Sequence, residues 1–146
     1  MAPDLKDPLR LIALDPEDLA VVSAHLQDSV ARVADMAFLR SEKRFAMVVD
    51  RLDWTSAGGA GERRRTGVHF ERVQSAQSRN LDLADRTAKR RLLAIEFAET
   101  DAPAGVVTLH FMDDSAVQLQ VECLEAAMSD LGLASPVAGP PLRGEA

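Results

Sequence analysis

At 146 residues the chain has the length of one domain able to bury a hydrophobic core without staples. Hydrophobic residues make up 47% and charged residues 27% of it, which is too apolar for a disordered chain, and no apolar run approaches the roughly 18 residues of a membrane span. The net charge of −6 is unevenly spread: residues 51–91 carry ten basic and five acidic groups, and residues 92–146 carry one and nine. A basic middle therefore precedes an acidic end, and the two either neutralise each other or present two faces to partners.

Cys123 is the sole cysteine, which excludes an internal disulfide and a multi-thiolate metal site and suits a reducing compartment. The start of the chain, Met1 to Pro8, lacks the basic, apolar and small-residue pattern of a secretory signal. These features predict a soluble cytoplasmic protein.

Leu9, Leu11, Ile12 and Leu14 form a short apolar strand segment that stops at Asp15-Pro16-Glu17-Asp18. Asp15 is an N-cap, Pro16 needs no donor in the first turn, and the acidic turn suits the helix dipole. Leu19, Val22, Leu26 and Val30 follow at helical spacing, predicting a helix over 16–28. The apolar period then changes to two, predicting strands over 33–39 and 44–52 around the polar turn Arg40 to Lys43. Phe45, Met47 and Val49 share one face of the second strand and Val48 and Leu52 the other, the pattern of a central strand covered on both sides.

Trp54 closes this stretch, and 55–61, with Gly58, Gly59 and Gly61, reads as a flexible loop. A strand begins near Thr66 and fades after Gln74. Leu93, Ile95 and Phe97 line one face of the next strand. Val107, Leu109 and Phe111 then answer Val117, Leu119 and Val121 across the turn Met112 to Ser115, predicting a hairpin. Leu124, Ala127, Met128 and Leu131 stand at helical spacing before Gly132, predicting a C-terminal helix with a glycine cap. Residues 1–132 are expected to form one α+β domain and 133–146, with Pro136, Pro140 and Pro141, a flexible tail. The expected architecture is a mostly antiparallel sheet of about seven strands, curled into a barrel or sandwich, with a helix after the first strand and a helix at the end. That element order resembles a pleckstrin-homology-type barrel, from which the early helix departs.

Chemical motifs are sparse. The glycine-rich loop lacks the Gly-Lys-Ser/Thr ending of a phosphate loop. His25, His69, His110 and Cys123 form no close ligand pair, so no metal or cofactor is expected. No Gly-x-Ser-x-Gly occurs, and Cys123 has apolar and acidic neighbours that oppose a reactive thiolate. Asp113-Asp114 is the carboxylate pair of a turn, where aspartate is favoured for backbone reasons.

The basic runs are the feature to follow. Arg63-Arg64-Arg65 leads into the strand that continues to Arg72, and Lys89-Arg90-Arg91 leads into the next; paired as a hairpin, those two strands would put the runs at opposite ends. Arginine forks bind phosphate and carboxylate in two-point fashion, so Arg63, Arg64, Arg65 and Arg72 are the candidate ligand-binding residues, weighed against a merely solvated charge run. Acidic composition and aromatics on apolar faces argue against nucleic acid.

Residues 11–28 (LIALDPEDLAVVSAHLQD), 42–54 (EKRFAMVVDRLDW), 63–70 (RRRTGVHF) and 121–125 (VECLE) resemble the small alphaproteobacterial proteins grouped as domain of unknown function 2948. The resemblance runs from about Leu9 to Gly132, implies a bacterial cytoplasmic protein, and carries no catalytic residue. The functional expectation is a non-enzymatic binding or adaptor domain for an anionic group, a small anionic ligand or an acidic protein partner. The rivals are an enzyme whose site is assembled from His69, Glu71 and His110, and a structural homodimer.

Overall fold

The computed structural model describes residues 9–53 and 62–133. β1 (Arg10–Ala13) leads into α1 (Pro16–Leu26), then β2 (Val30–Leu39), a 3-10 turn (Arg40–Glu42), β3 (Arg44–Asp53), β4 (Glu62–Phe70), β5 (Val73–Arg79), β6 (Lys89–Glu99), β7 (Gly105–Phe111), β8 (Ser115–Val121) and β9 (Ala126–Leu133). Trp54 and the glycine-rich loop lie outside the described residues, as does the expected tail beyond Leu133.

The start of α1 follows from local chemistry. Asp15 Oδ1 accepts a hydrogen bond from the Asp18 N–H at 2.8 Å, and Asp18 Oδ2 accepts from the Leu14 N–H at 3.3 Å, a reciprocal cap that satisfies two otherwise free donors. Leu19, Val22 and Leu26 turn into the core. The C-cap Gln27 leaves the helical path at ψ 135° and Asp28 follows in the left-handed conformation at φ 68°, so Val30 opens β2 instead of extending the helical stripe.

The strands form one antiparallel sheet in the order β1-β9-β4-β3-β2-β6-β7-β8-β5. Among the described residues β1 and β5 are its edges and the sheet is not closed. It curls enough for its two halves to share one core: Phe45, Met47, Val68 and Phe70 from one half meet Val107, Leu109, Phe111 and Leu119 from the other, with α1 against them.

Among the described residues nine strands stand where seven are expected, and the two additions have different causes. β5 is a polar edge strand, Val-Gln-Ser-Ala-Gln-Ser-Arg, in which only Val73 is fully buried; a strand solvated on one edge and one face needs few apolar residues. It is separated from β4 by Arg72 at φ 60°, so the single strand expected to fade after Gln74 is two.

The expected C-terminal helix is strand β9. It lies between β1 and β4 and is hydrogen-bonded to both. Its inward series is Leu124, Ala126, Met128 and Asp130, all buried, whereas Leu131 is 62% exposed. An aspartate in the inward series hid the period of two, and Ala127 and Leu131 then simulated a helical stripe. Gly132, at φ 140°, serves a bulge where the register with β4 slips rather than a helix cap. The comparison with a pleckstrin-homology barrel rested on a terminal helix that is a strand here.

β6 carries a smaller surprise. A register slip between Leu92 and Ala94 turns Leu92 and Ile95 inward and leaves Leu93 42% exposed, so Leu93, Ile95 and Phe97 do not share a face. Packing is tight at the start of β7, where a Cβ on Gly105 would stand 2.5 Å from both the Ala98 carbonyl oxygen and the Phe97 ring. The ring is able to yield but the strand carbonyl is not. Gly105→Ala is expected to cost about 1–3 kcal/mol through overpacking, read as a lower urea midpoint at unchanged slope.

Candidate functional site

The pleat of β4 sorts the three consecutive arginines. Arg64 is only 6% exposed and points inward, directly across from Arg51 of β3, itself 4% exposed. The same side holds Asp130 of β9, which accepts hydrogen bonds from Arg51 Nε at 3.2 Å and Nη2 at 2.7 Å, from Thr66 Oγ1 at 2.8 Å and from the Leu9 N–H at 3.0 Å. Burial opposes ionisation of this carboxyl, but the Arg51, Leu9 and Thr66 hydrogen bonds and the Arg51 charge outweigh it and hold the group below its ordinary value. Arg64 is engaged as well. This inward cluster joins β1, β3, β4 and β9 and belongs to the interior.

Arg63 and Arg65 point the other way, onto the outer face. There the register aligns Arg65 with Asp50, Asp50 with Val30, and Val30 with Arg91, while Arg32 faces Lys89 and Leu52 faces Arg63. Partners directly opposite in antiparallel strands project to the same side. Arg63, Arg65, Arg32, Lys89 and Arg91 therefore form one slanting basic row across β4, β3, β2 and β6, three strand spacings or about 14 Å wide: Arg65 and Arg91 share a level, Arg63 stands two residues to one side of it, and Arg32 and Lys89 two residues to the other. β4 and β6 do not pair. β6 overlaps only Val30 to Arg32 of β2, and that overlap brings Arg91 level with Arg65. Arg65 meets Asp50 at 3.8 Å and Arg32 meets Asp35 at 3.4 Å; among the described residues no ion pair engages Arg63, Lys89 or Arg91.

Arg72 is not part of the row. It sits in the turn after β4, seven residues beyond Arg65 and so roughly 20 Å away, with its Nε 3.4 Å from Glu125 Oε1. It borders an open polar cleft of about 480 Å³. There His69 Nδ1 lies 2.6 Å from Glu71 Oε2, which also accepts from Arg44 Nε at 2.9 Å. Glu122 accepts from Lys43 Nζ at 3.1 Å, and that bond together with the lysine charge lowers its pKa. His110 is elsewhere, its Nε2 2.8 Å from Glu96 Oε1 between β6 and β7. Of His69, Glu71 and His110, the first two meet and the third does not join them.

Among the described residues no three His, Cys, Asp or Glu side chains gather as metal ligands would, and no helix is long and apolar enough to cross a membrane. Asp113 and Asp114 both take left-handed conformations in the β7–β8 turn, which accounts for the pair by backbone geometry. Cys123 is half-buried and precedes a strand, so no helix dipole acts on it.

Beside the basic row, the outer face carries an open groove of about 450 Å³ lined by Ala34, Ala46, Val48, Gly67, Ser129 and Leu131 among others. Val48 is half-buried and Leu131 largely exposed: among the described residues this side of β3 has no covering layer, contrary to the expectation that both sides are covered.

The sequence matches the family model described as protein of unknown function (DUF2948) over residues 9–142. The chain belongs to this family. The match takes in every strand of the DUF2948 sheet, along with both the inward cluster and the outer row. No curated protein and no solved structure matches the chain. The surfaces of this DUF2948 protein offer an outer face with Arg63, Arg65 and Arg91 at one end of an apolar groove and Arg32 and Lys89 along its β2 side.

Proposed function

We propose that this DUF2948 protein is a cytoplasmic binding or adaptor domain, non-enzymatic, that recognises an anionic group or acidic partner through Arg63 and Arg65 together with Arg32, Lys89 and Arg91. One observation carries the reading. Arg65 and Arg91, from two basic runs distant in sequence, are brought to one level of one face by the β4-β3-β2-β6 register, with Arg63 beside the one and Lys89 and Arg32 beside the other. Five cations against Asp50 and Asp35 leave the row positive on a chain that is acidic as a whole, which attracts and orients an acidic partner. The enzymatic rival required His110 beside His69 and Glu71, and His110 is bonded to Glu96.

The test is affinity capture from the native cell with quantitative mass spectrometry, comparing the natural chain with a triple Arg63→Glu, Arg65→Glu, Arg91→Glu variant. Arg63 and Arg91 are exposed and Arg65 half-exposed, so the melt should change little. Partner recovery is expected to fall at least tenfold, about 1.4 kcal/mol of binding, with the natural chain's capture weakening as salt rises. An unchanged set of partners would remove the basic row as the site.

A further inference from the structure

Resting on that reading, we infer that the acidic partner binds as an amphipathic α-helix laid in the groove of the outer face. The cations do not converge on a point, as they would for a free phosphate; they spread over roughly 14 Å of sheet. The surface next to them is apolar and recessed. Its floor is made of small residues, Ala46 on β3, Gly67 on β4 and Ser129 on β9. Leu131 bounds one side: it leans over Gly67, its Cδ1 3.6 Å from where a Cβ on that residue would stand. The other side is bounded by Leu39 and by Ala34, which lies where the β2 register slips between Ala31 and Met36.

From β9 to β2 is three strand spacings, about 14 Å, which admits a helix of roughly 10–12 Å diameter. From the level of Arg65 to that of His69 is about 13 Å, or roughly nine helical residues. One face of such a helix would place apolar side chains over Ala46, Val48 and Gly67, its acidic end would meet Arg63, Arg65 and Arg91, and its acidic flank would face Arg32 and Lys89. The recess and the row thus ask for two properties in the same short segment, an apolar stripe and negative charge.

The experiment measures binding of three probes by fluorescence anisotropy or sedimentation: an 18-residue peptide of leucines at helical spacing with glutamates between them, a scrambled peptide of the same composition, and vesicles containing phosphatidylserine. Each is offered to the natural chain, to Leu131→Glu and to Arg63→Glu/Arg65→Glu. Leu131 is an exposed side chain, and circular dichroism checks that its variant folds. Amide shifts of Gly67 and Ser129 on titration provide a second readout.

The expected result is at least tenfold tighter binding of the amphipathic peptide than of its scramble, lost tenfold or more in both variants, with shifts at Gly67 and Ser129. Equal binding of both peptides, harmless Leu131→Glu and damaging arginine reversal would overturn the helix while leaving anion recognition intact. Retention by vesicles in preference to the peptides would assign the face to a lipid surface, and a dimer abolished by Leu131→Glu would assign it to a second copy of this chain; either overturns the inference. Binding of no probe would remove both readings.

Discussion

Asp130→Ala is expected to destabilise the protein by about 3–5 kcal/mol, the range for removing one partner of a buried ion pair. The Asp130 side chain is 1% exposed. Its loss leaves the Arg51 guanidinium buried without its counter-charge, and frees Thr66 Oγ1 and the Leu9 N–H of their acceptor. Leu9 is bound twice, since the Asp130 N–H also donates to the Leu9 carbonyl at 2.9 Å, so the change loosens the attachment of β1 as well. Against the 5–15 kcal/mol of an ordinary domain, that is a large fraction. Asp130→Asn keeps an acceptor and is expected to cost less. The pH dependence has a definite sign. A carboxyl held below its ordinary 3.8 in the folded state contributes stability that is fully present above that value and is lost as pH falls through the folded pKa. Urea midpoints of the natural chain should therefore drop below about pH 4, and Asp130→Asn should lack that component of the drop.

The second large effect concerns Arg63, Arg64 and Arg65, three identical neighbours that should behave in alternation. Arg64→Ala removes a long side chain that is almost wholly buried beside Arg51 and opens a cavity, a loss of at least about 2 kcal/mol. Arg63→Ala and Arg65→Ala remove solvated side chains, the second with only a long pair to Asp50, and should shift stability by no more than about 0.5 kcal/mol. Binding should show the reverse order: weakened by the outer pair and, in the folded fraction, unaffected by Arg64→Ala. Thermal melts beside binding curves for the three single variants check both halves of the alternation. Equal melting temperatures across the three would contradict the inward placement of Arg64.

The parts of the fold legible in the sequence are those fixed by neighbours. The start of α1 was readable because Asp15, Pro16 and Asp18 complete its cap among themselves, and β7–β8 because both strands alternate cleanly around a tight aspartate turn. Reading failed where a distant partner decides. Asp130 is a tolerable inward residue only opposite Thr66 and within reach of Arg51, so nothing local revealed β9 as a strand. β5 is held by β8 and by a hydrogen bond from the Val73 N–H to the Lys43 carbonyl, neither visible in its polar sequence. For the site, the arginines were conspicuous as residues, yet the face each takes depends on the pleat, and the union of the two runs depends on a three-residue overlap of β2 with β6. Arg32, a single cation inside an apolar strand, carried no signal of its own, and the groove beside it is assembled from Ala46, Gly67 and Ser129, small residues that no motif marks.

The most direct measurement compares Arg65→Glu, Arg91→Glu and Arg72→Glu for binding of the captured acidic partner at one fixed salt concentration. The two row substitutions, one from each basic run, should each weaken binding severalfold, and Arg72→Glu, at the far end of β4, should leave it unchanged. Binding lost on Arg72→Glu, or preserved on Arg91→Glu, would contradict a single recognition face built from both runs.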